Sequence, residues 1–291
     1  MTYPKCGTTW MQRIVDLLVF QTLQPRPIME ISPWIDRRFP EPIGALLARI
    51  EAQDHRRFFK SHLPFDGLPI YEEVKYIHVA RDGRDACLSF HNHVLGFTPQ
   101  MLEGLDRTGL NDEAIGRAYP RIGADPARYF RRWLEEGAVP DHRDGLPAMS
   151  FFHFEQSWWD QQHRSNVLLV HHNDLKADLF GEMRRIADFL DIRVAPNLWP
   201  GLVEAAGFAA MRRDGAALMG GVATIFQGGS SRFFHKGTNE RWHGIFREED
   251  LLLYQAKAAA SLSPTCMAWV VNGWGRADGW PAPAAGVIST S

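Results

Sequence analysis

Apolar positions along this chain follow two periods. Trp10, Met11, Ile14, Val15, Leu17 and Leu18 recur at helical spacing and predict a helix that opens just after a Lys5-Cys6-Gly7-Thr8-Thr9 turn. Short runs rich in Val, Ile and Phe predict strands at 57–61, 74–79 and 166–171. Amphipathic stretches between them predict helices at 84–93, 126–136, 151–163 and 175–190. In the last, Phe180, Met183, Ile186, Ala187 and Leu190 make one apolar face, and charges occupy the other. This alternation is the signature of an α/β fold, with a central, mostly parallel sheet flanked by helices in three layers. Residues 94–125 contain Gly96, Pro99, Gly104, Gly109, Gly116, Pro120 and Gly123 with little periodicity, and read as an irregular lid or insertion. The expected organisation is one domain over 1–274 and a disordered tail over 275–291, whose Pro, Ala, Gly, Ser and Thr residues have little to bury.

Composition narrows the function classes. A chain of 291 residues that is 45% hydrophobic can build one large core, and a formal charge of -2 argues against nucleic acid as a bulk partner. Any anion site must then be local, made by a few placed cations. No apolar run approaches the roughly 20 residues that span a bilayer, and no signal-peptide pattern opens the chain, so the expectation is a cytoplasmic protein with no membrane partner. Three widely spaced cysteines, an odd number, read as reduced thiols. The tripeptide His91-Asn92-His93 does not make the nuclease motif of those letters, which spreads its residues over tens of positions around a metal-bearing loop. The twelve histidines show no ligand spacing with acids or cysteines, so no metal is expected.

The candidate chemistry begins at the first turn. Gly7, Thr8 and Thr9 stand where a helix leaves backbone N–H groups without acceptors, and Lys5 adds a full charge, so the turn suits an anion. Its lysine precedes the glycine, the reverse of a nucleotide triphosphatase loop. Such a loop hangs from a central strand, yet only Met1 to Tyr3 precede it. The first strand reads as truncated, with the native start upstream and this form expected to be unstable or poorly active. Lys60-Ser61-His62-Leu63-Pro64 follows one predicted strand, and Ala80-Arg81-Asp82-Gly83-Arg84-Asp85 follows another, with Ser89 about two turns into the next helix. In open α/β sheets the C-terminal ends of parallel strands line the ligand crevice. Near the C-terminus, Ser231-Arg232-Phe233-Phe234-His235-Lys236-Gly237 forms a basic, glycine-containing loop with aromatic flanks.

Taken together, these segments resemble the cytosolic type of sulfotransferase, which uses 3'-phosphoadenosine 5'-phosphosulfate (PAPS). The order Lys5-Cys6-Gly7-Thr8-Thr9-Trp10, Lys60-Ser61-His62-Leu63-Pro64, Arg81 with Ser89, and Phe233-Phe234-His235-Lys236-Gly237 is similar to that family from end to end. Gly137-Ala138-Val139-Pro140 ahead of Trp158-Trp159 and His172-Asn173-Asp174-Leu175-Lys176 are further matches. The resemblance implies a P-loop NTPase-like sulfotransferase fold and an enzyme that moves a sulfuryl group from PAPS to the hydroxyl or amine of a small, hydrophobic acceptor, without metal. It places the 5'-phosphosulfate on Lys5, Cys6, Gly7, Thr8 and Thr9, and the 3'-phosphate on Arg81, Ser89, His235, Lys236 and Gly237. Trp10 and Phe208 would sandwich adenine, with His172 near the base where the family commonly has a tyrosine. His62 would be the general base, Lys5 would steady charge on the bridging oxygen, and Lys60 would support the transferring group.

Two departures from the family pattern carry expectations. His235 replaces an arginine, so cofactor affinity is expected to fall as pH rises through the histidine range. Cys6 stands where the family often has serine: either it is a tolerated small residue, or, beside Lys5 at a helix N-terminus, its thiol has a depressed pKa and blocks the site when oxidised or alkylated. Phe39, Phe65, Phe90 and Phe97 are candidates for an apolar acceptor pocket or for core. The rival readings are a phosphate-loop kinase and a nucleotide-binding homologue that has lost catalysis.

Overall fold

Two short apolar strands order the molecule. The computed structural model describes residues 1–36, 41–113, 115–138, 143–234 and 237–275. In it β1 (Tyr76–Ala80) and β2 (Val167–His171) run parallel, with Tyr76 opposite Val167 and Ala80 opposite His171. Their side chains alternate between two apolar layers. Tyr76, Ala80, Val167 and Leu169 enter an aromatic cluster with Phe151, Phe152, Phe154 and Trp158, whereas Val79 and Val170 pack against Met11, Ile14, Leu175, Met183 and Leu202 on the opposite face. A sheet covered on both faces leaves no polar side, which is why these strands read as nearly continuous apolar runs. The α/β, three-layer expectation holds.

Three further lines of chain extend the sheet through single bridges. Thr2 pairs in parallel with Val79, and Trp34 with Lys60. Thr2 N donates to Ser61 O at 3.3 Å, and Val79 N donates to Met1 O at 3.0 Å. The order across the sheet is therefore Trp34, Lys60–Ser61, Met1–Tyr3, β1, β2. Tyr3 anchors the chain start: its ring is 0% exposed, meets Phe90, Trp133, Phe151 and Phe154 edge-on, and its hydroxyl accepts from Trp133 Nε1 at 2.8 Å.

Around the sheet lie α1 (Thr8–Phe20), α2 (Ile28–Ile31), α3 (Ile43–Glu51), α4 (Gly83–Val94), α5 (Pro99–Asn111), α6 (Pro126–Glu135), α7 (Phe151–Trp159), α8 (His172–Ala177) and α9 (Leu179–Phe189). They are followed by α10 (Trp199–Ala206), α11 (Phe208–Arg213), α12 (Gly215–Leu218), α13 (Gly229–Phe233), α14 (Glu248–Ser261) and α15 (Pro264–Asn272). A third apolar cluster, with Phe90, Phe97, Phe226 and Phe234, joins the end of α4 to the segment around α13.

Several elements differ from expectation. The 57–61 strand is reduced to the Lys60 bridge, because Arg56, Arg57 and Phe59 are exposed and offer no apolar row to bury. Residues 94–125 are not wholly irregular: Thr98 caps α5 by accepting from Met101 N, and Pro99 takes the first helical position, where its missing N–H costs nothing. The 175–190 helix is two helices, split at Asp178, whose side chain caps α9 at Gly181 N. Phe180, placed on the buried face by periodicity, is 44% exposed. The 151–163 helix ends at Trp159. The tail from 276 onward lies outside the described residues.

Candidate active site

The turn before α1 is wound by two left-handed residues, Lys5 (φ 75°) and Gly7 (φ 113°). Only glycine tolerates the second conformation without strain. A Cβ at Gly7 would also meet Val79 and His172 at 3.5 and 3.6 Å. No side chain caps α1, so its first-turn N–H groups have no acceptor from the helix or from a cap. Thr8 Oγ1 and Thr2 Oγ1 share a hydrogen bond of 2.5 Å, which ties the turn to the chain start.

Cys6 corrects an expectation. Its side chain is 0% exposed within the aromatic cluster, and burial first, then the Glu155 carboxylate, raises the thiol pKa far above its ordinary value. The left-handed turn that opens outward at Lys5 and Gly7 directs the residue between them into the core. Cys6 is neither an activated thiol nor a side-chain ligand here.

Three cationic or basic side chains face one another across the turn. His62 is 8% exposed, and its Nδ1 donates to Thr2 O at 2.7 Å, which fixes the proton on Nδ1 and leaves Nε2 with a free lone pair. Trp34 meets the imidazole edge-on at 5.1 Å, and Asp36 Oδ2 accepts from the His62 backbone N–H at 3.1 Å. Burial chiefly, with the Lys60 charge second, holds the His62 pKa well below 6.5. Lys60 Nζ lies 4.5 Å above the Trp34 ring. Lys5 Nζ meets His93 Nδ1 at 3.2 Å and lies 4.6 Å from the centre of the Phe233 ring. Burial, then repulsion from Arg81 and Lys60, lowers its pKa to about 7.

A second cationic point stands at the end of β1. Arg81 is 7% exposed and donates to Lys5 O, Thr238 O and Asn239 Oδ1 at 3.4, 3.1 and 2.9 Å. These partners are neutral oxygens, and Arg81 Nε is buried with no partner among the described residues. Asp85, in the first turn of α4, accepts from Glu240 N at 2.8 Å and Arg241 N at 3.3 Å, so the 237–241 segment is fastened to the strand end from both sides. Ser89 is partly buried on the same helix. His235 and Lys236 lie outside the described residues.

Between the two points runs an aromatic wall. Trp10 Nε1 donates to Ala206 O at 2.8 Å, and its ring meets His172 edge-on at 5.3 Å. Gly237 (φ 64°) presses against Phe208 so closely that a Cβ would sit 2.7 Å from the ring. Phe208 itself is 39% exposed. His172 Nδ1 is buried with no partner among the described residues, a polar atom left for a ligand.

Of the apolar candidates, Phe65 packs on the core edge-on to Trp158, while Phe90 and Phe97 belong to the third cluster and set their rings against His93. Phe39 lies outside the described residues. Sequence reasoning missed His93, Asp85 and Asn239. Spacing held a signal for the first two: His93 is one helical turn beyond Ser89, and Asp85 four residues beyond Arg81. Asn239 had none. Among the described residues no group of three His, Cys, Asp or Glu could hold a metal, and no helix is long and apolar enough to cross a membrane.

Comparison with known proteins identifies the family. The sulfotransferase domain model matches residues 1–259. A glycolipid sulfotransferase of Mycobacterium bovis (strain BCG / Pasteur 1173P2) is 33% identical over 287 residues, covering 92% of this chain and 86% of that protein. Human sulfotransferase 1C2 is 27% identical over 259 residues, covering 84% and 76%. The structure of retinol dehydratase in complex with androsterone and inactive cofactor PAP superposes with a TM-score of 0.68 at 20% identity, over 90% of this chain and 79% of that one. That likeness shows a shared fold.

Proposed function

This chain belongs to the sulfotransferase family, and on that premise we propose that it transfers the sulfuryl group of PAPS to the hydroxyl of a hydrophobic acceptor, with His62 as base. The observation that carries the reading is the His62 tautomer: Nδ1 is committed to Thr2 O, so the ring can accept a proton only at Nε2. Its lowered pKa keeps it neutral at pH 7, available to take the acceptor's proton in the transition state.

The residues present fit the nucleotide. A left-handed, uncapped helix start with Lys5 suits the 5'-phosphosulfate. Arg81, whose Nε is unpartnered among the described residues, suits the 3'-phosphate together with Ser89 and the loop of His235, Lys236 and Gly237. Trp10, Phe208 and the orphan His172 Nδ1 suit a flat base with ring nitrogens. When bound, PAPS supplies the sulfuryl group and a stable leaving phosphate. The chain's part is positioning and charge: Lys5 and the α1 N–H groups hold oxygens, Lys60 offsets developing negative charge, and Trp34 and Asp36 fix the base. The reading covers the single domain over 1–274.

The glycolipid named for the mycobacterial relatives favours a lipid-like or glycosylated alcohol over a small polar acceptor. The test has two steps. Adenosine 3',5'-bisphosphate should raise the Tm, and PAPS with a panel of glycolipids, phenols and alcohols should yield a sulfated product. Nucleotide binding without transfer to any panel member would favour a binding protein that has lost catalysis, and the absence of both would reject the proposal.

A further inference from the structure

We propose that His93 is a positioning residue for Lys5, its Nδ1 accepting from the Lys5 ammonium so that the ammonium stays charged and aimed at the turn before α1; this rests on the phosphate-binding role proposed above for Lys5. The nitrogen–nitrogen distance is 3.2 Å. Both groups that hold Lys5 Nζ come from outside its own turn, His93 from α4 and the Phe233 ring from α13. Neither is anionic, so among the described residues a phosphate or sulfate oxygen meets no carboxylate competing for the ammonium.

The charges around the pair decide how it works. Lys5 faces Arg81 from the end of β1, Lys60 from the bridged segment and the Cys6 thiol from its own turn. His93 faces Lys5, Lys60 and His62, with Arg232 of α13 held next door by Asn92 O at 3.1 Å. Burial, then the Lys5 charge, keeps the His93 pKa well below 6.5. It is therefore neutral wherever Lys5 titrates and offers a lone pair, and such an acceptor favours ammonium over amine. The ring is fixed by Phe97 and Phe226, whose centroids lie 5.2 and 4.7 Å away. Its proton must then be on Nε2.

The experiment measures adenosine 3',5'-bisphosphate affinity from pH 7 to 9, above the phosphate titration near 6. Four proteins are compared: wild type, His93→Phe, His93→Gln and Lys5→Met. Any titration of His235 is common to all four. In the wild type, affinity falls as Lys5 loses its proton with rising pH. Losing one hydrogen bond to the ammonium should move the midpoint down by about one pH unit, so His93→Phe should bind about tenfold more weakly at pH 8. His93→Gln, which can still accept, should stay within about threefold of wild type. As a check that needs no variant, nitrogen-15 NMR of the wild-type ring should show a bare Nδ1 and a protonated Nε2. Superimposable wild-type and His93→Phe curves, or a ring protonated at Nδ1, would overturn the proposal. A Lys5→Met curve equal to wild type would instead reject the role of Lys5 itself.

Discussion

Gly237→Ala probes the contact between the C-terminal loop and the aromatic wall. An ideal Cβ there lies 2.7, 2.8 and 2.9 Å from Phe208 Cε2, Cδ2 and Cζ, and the backbone sits at φ 64°. Two costs follow. Holding alanine in the left-handed region costs roughly 1 kcal/mol. Pushing the ring aside costs about 1 kcal/mol more, at the low end for overpacking because Phe208 is 39% exposed and has somewhere to go. Urea denaturation should therefore show a loss of about 2 kcal/mol. In a Phe208→Ala background the second cost disappears, so Gly237→Ala should then cost only about 1 kcal/mol, a coupling of about 1 kcal/mol. Affinity for adenosine 3',5'-bisphosphate should fall about five- to tenfold in the single Gly237→Ala variant, because a displaced ring loses the stacking on adenine proposed for it. Equal destabilisation in both backgrounds, or nucleotide affinity unchanged by the alanine, would refute the reasoning.

Three shorter predictions follow. His62→Ala should slow transfer by about 10²–10⁴-fold while nucleotide affinity stays within a few fold, read by product formation and calorimetry; near-normal turnover would remove His62 from the mechanism. A histidine at 6.5 would be only about one-quarter neutral at pH 6, whereas a lowered pKa sheds its proton at lower pH. The acid limb of kcat/KM should accordingly lie below 6.5, and a limb at or above that value would contradict the buried environment of the ring. Iodoacetamide should leave Cys6 unmodified in the native protein, with or without nucleotide, and label it after denaturation; fast native labelling would contradict its burial.

What could be read in advance was what period and order encode. β1, β2, α4 and α6 follow from apolar runs and amphipathic spacing, and the succession of Lys5, His62, Arg81 and Phe208 from matched segments. What period does not encode was lost. Asp178 looks like one more charge on a helix, but its carboxylate caps α9 and divides the stretch. Pro99 looks like a breaker, but at a first helical position it starts α5. Cys6 looks solvent-facing by its neighbours, yet the sign of φ at Lys5 and Gly7 decides where it points. The Lys5–His93 contact joins residues 88 apart, and the Asp85 contact to Glu240 joins residues 155 apart. Nothing local announces either.

Those separations order events in time. Met1–Tyr3 sit between β1 and Lys60–Ser61, which follow them by more than fifty residues, while Asp85 and Arg81 wait for a segment at 237–241. A growing chain can therefore close its sheet only after β2 has emerged, and can fasten the nucleotide side later still, because such distant contacts pay their loop-closure entropy before they return anything. Throughout synthesis, Lys5 and Arg81 lack the loop that completes their surroundings. Any stabilisation that nucleotide lends by mass action favours chains synthesised past residue 241, which makes the ligand a selector for chains that carry this segment rather than a template for shorter ones.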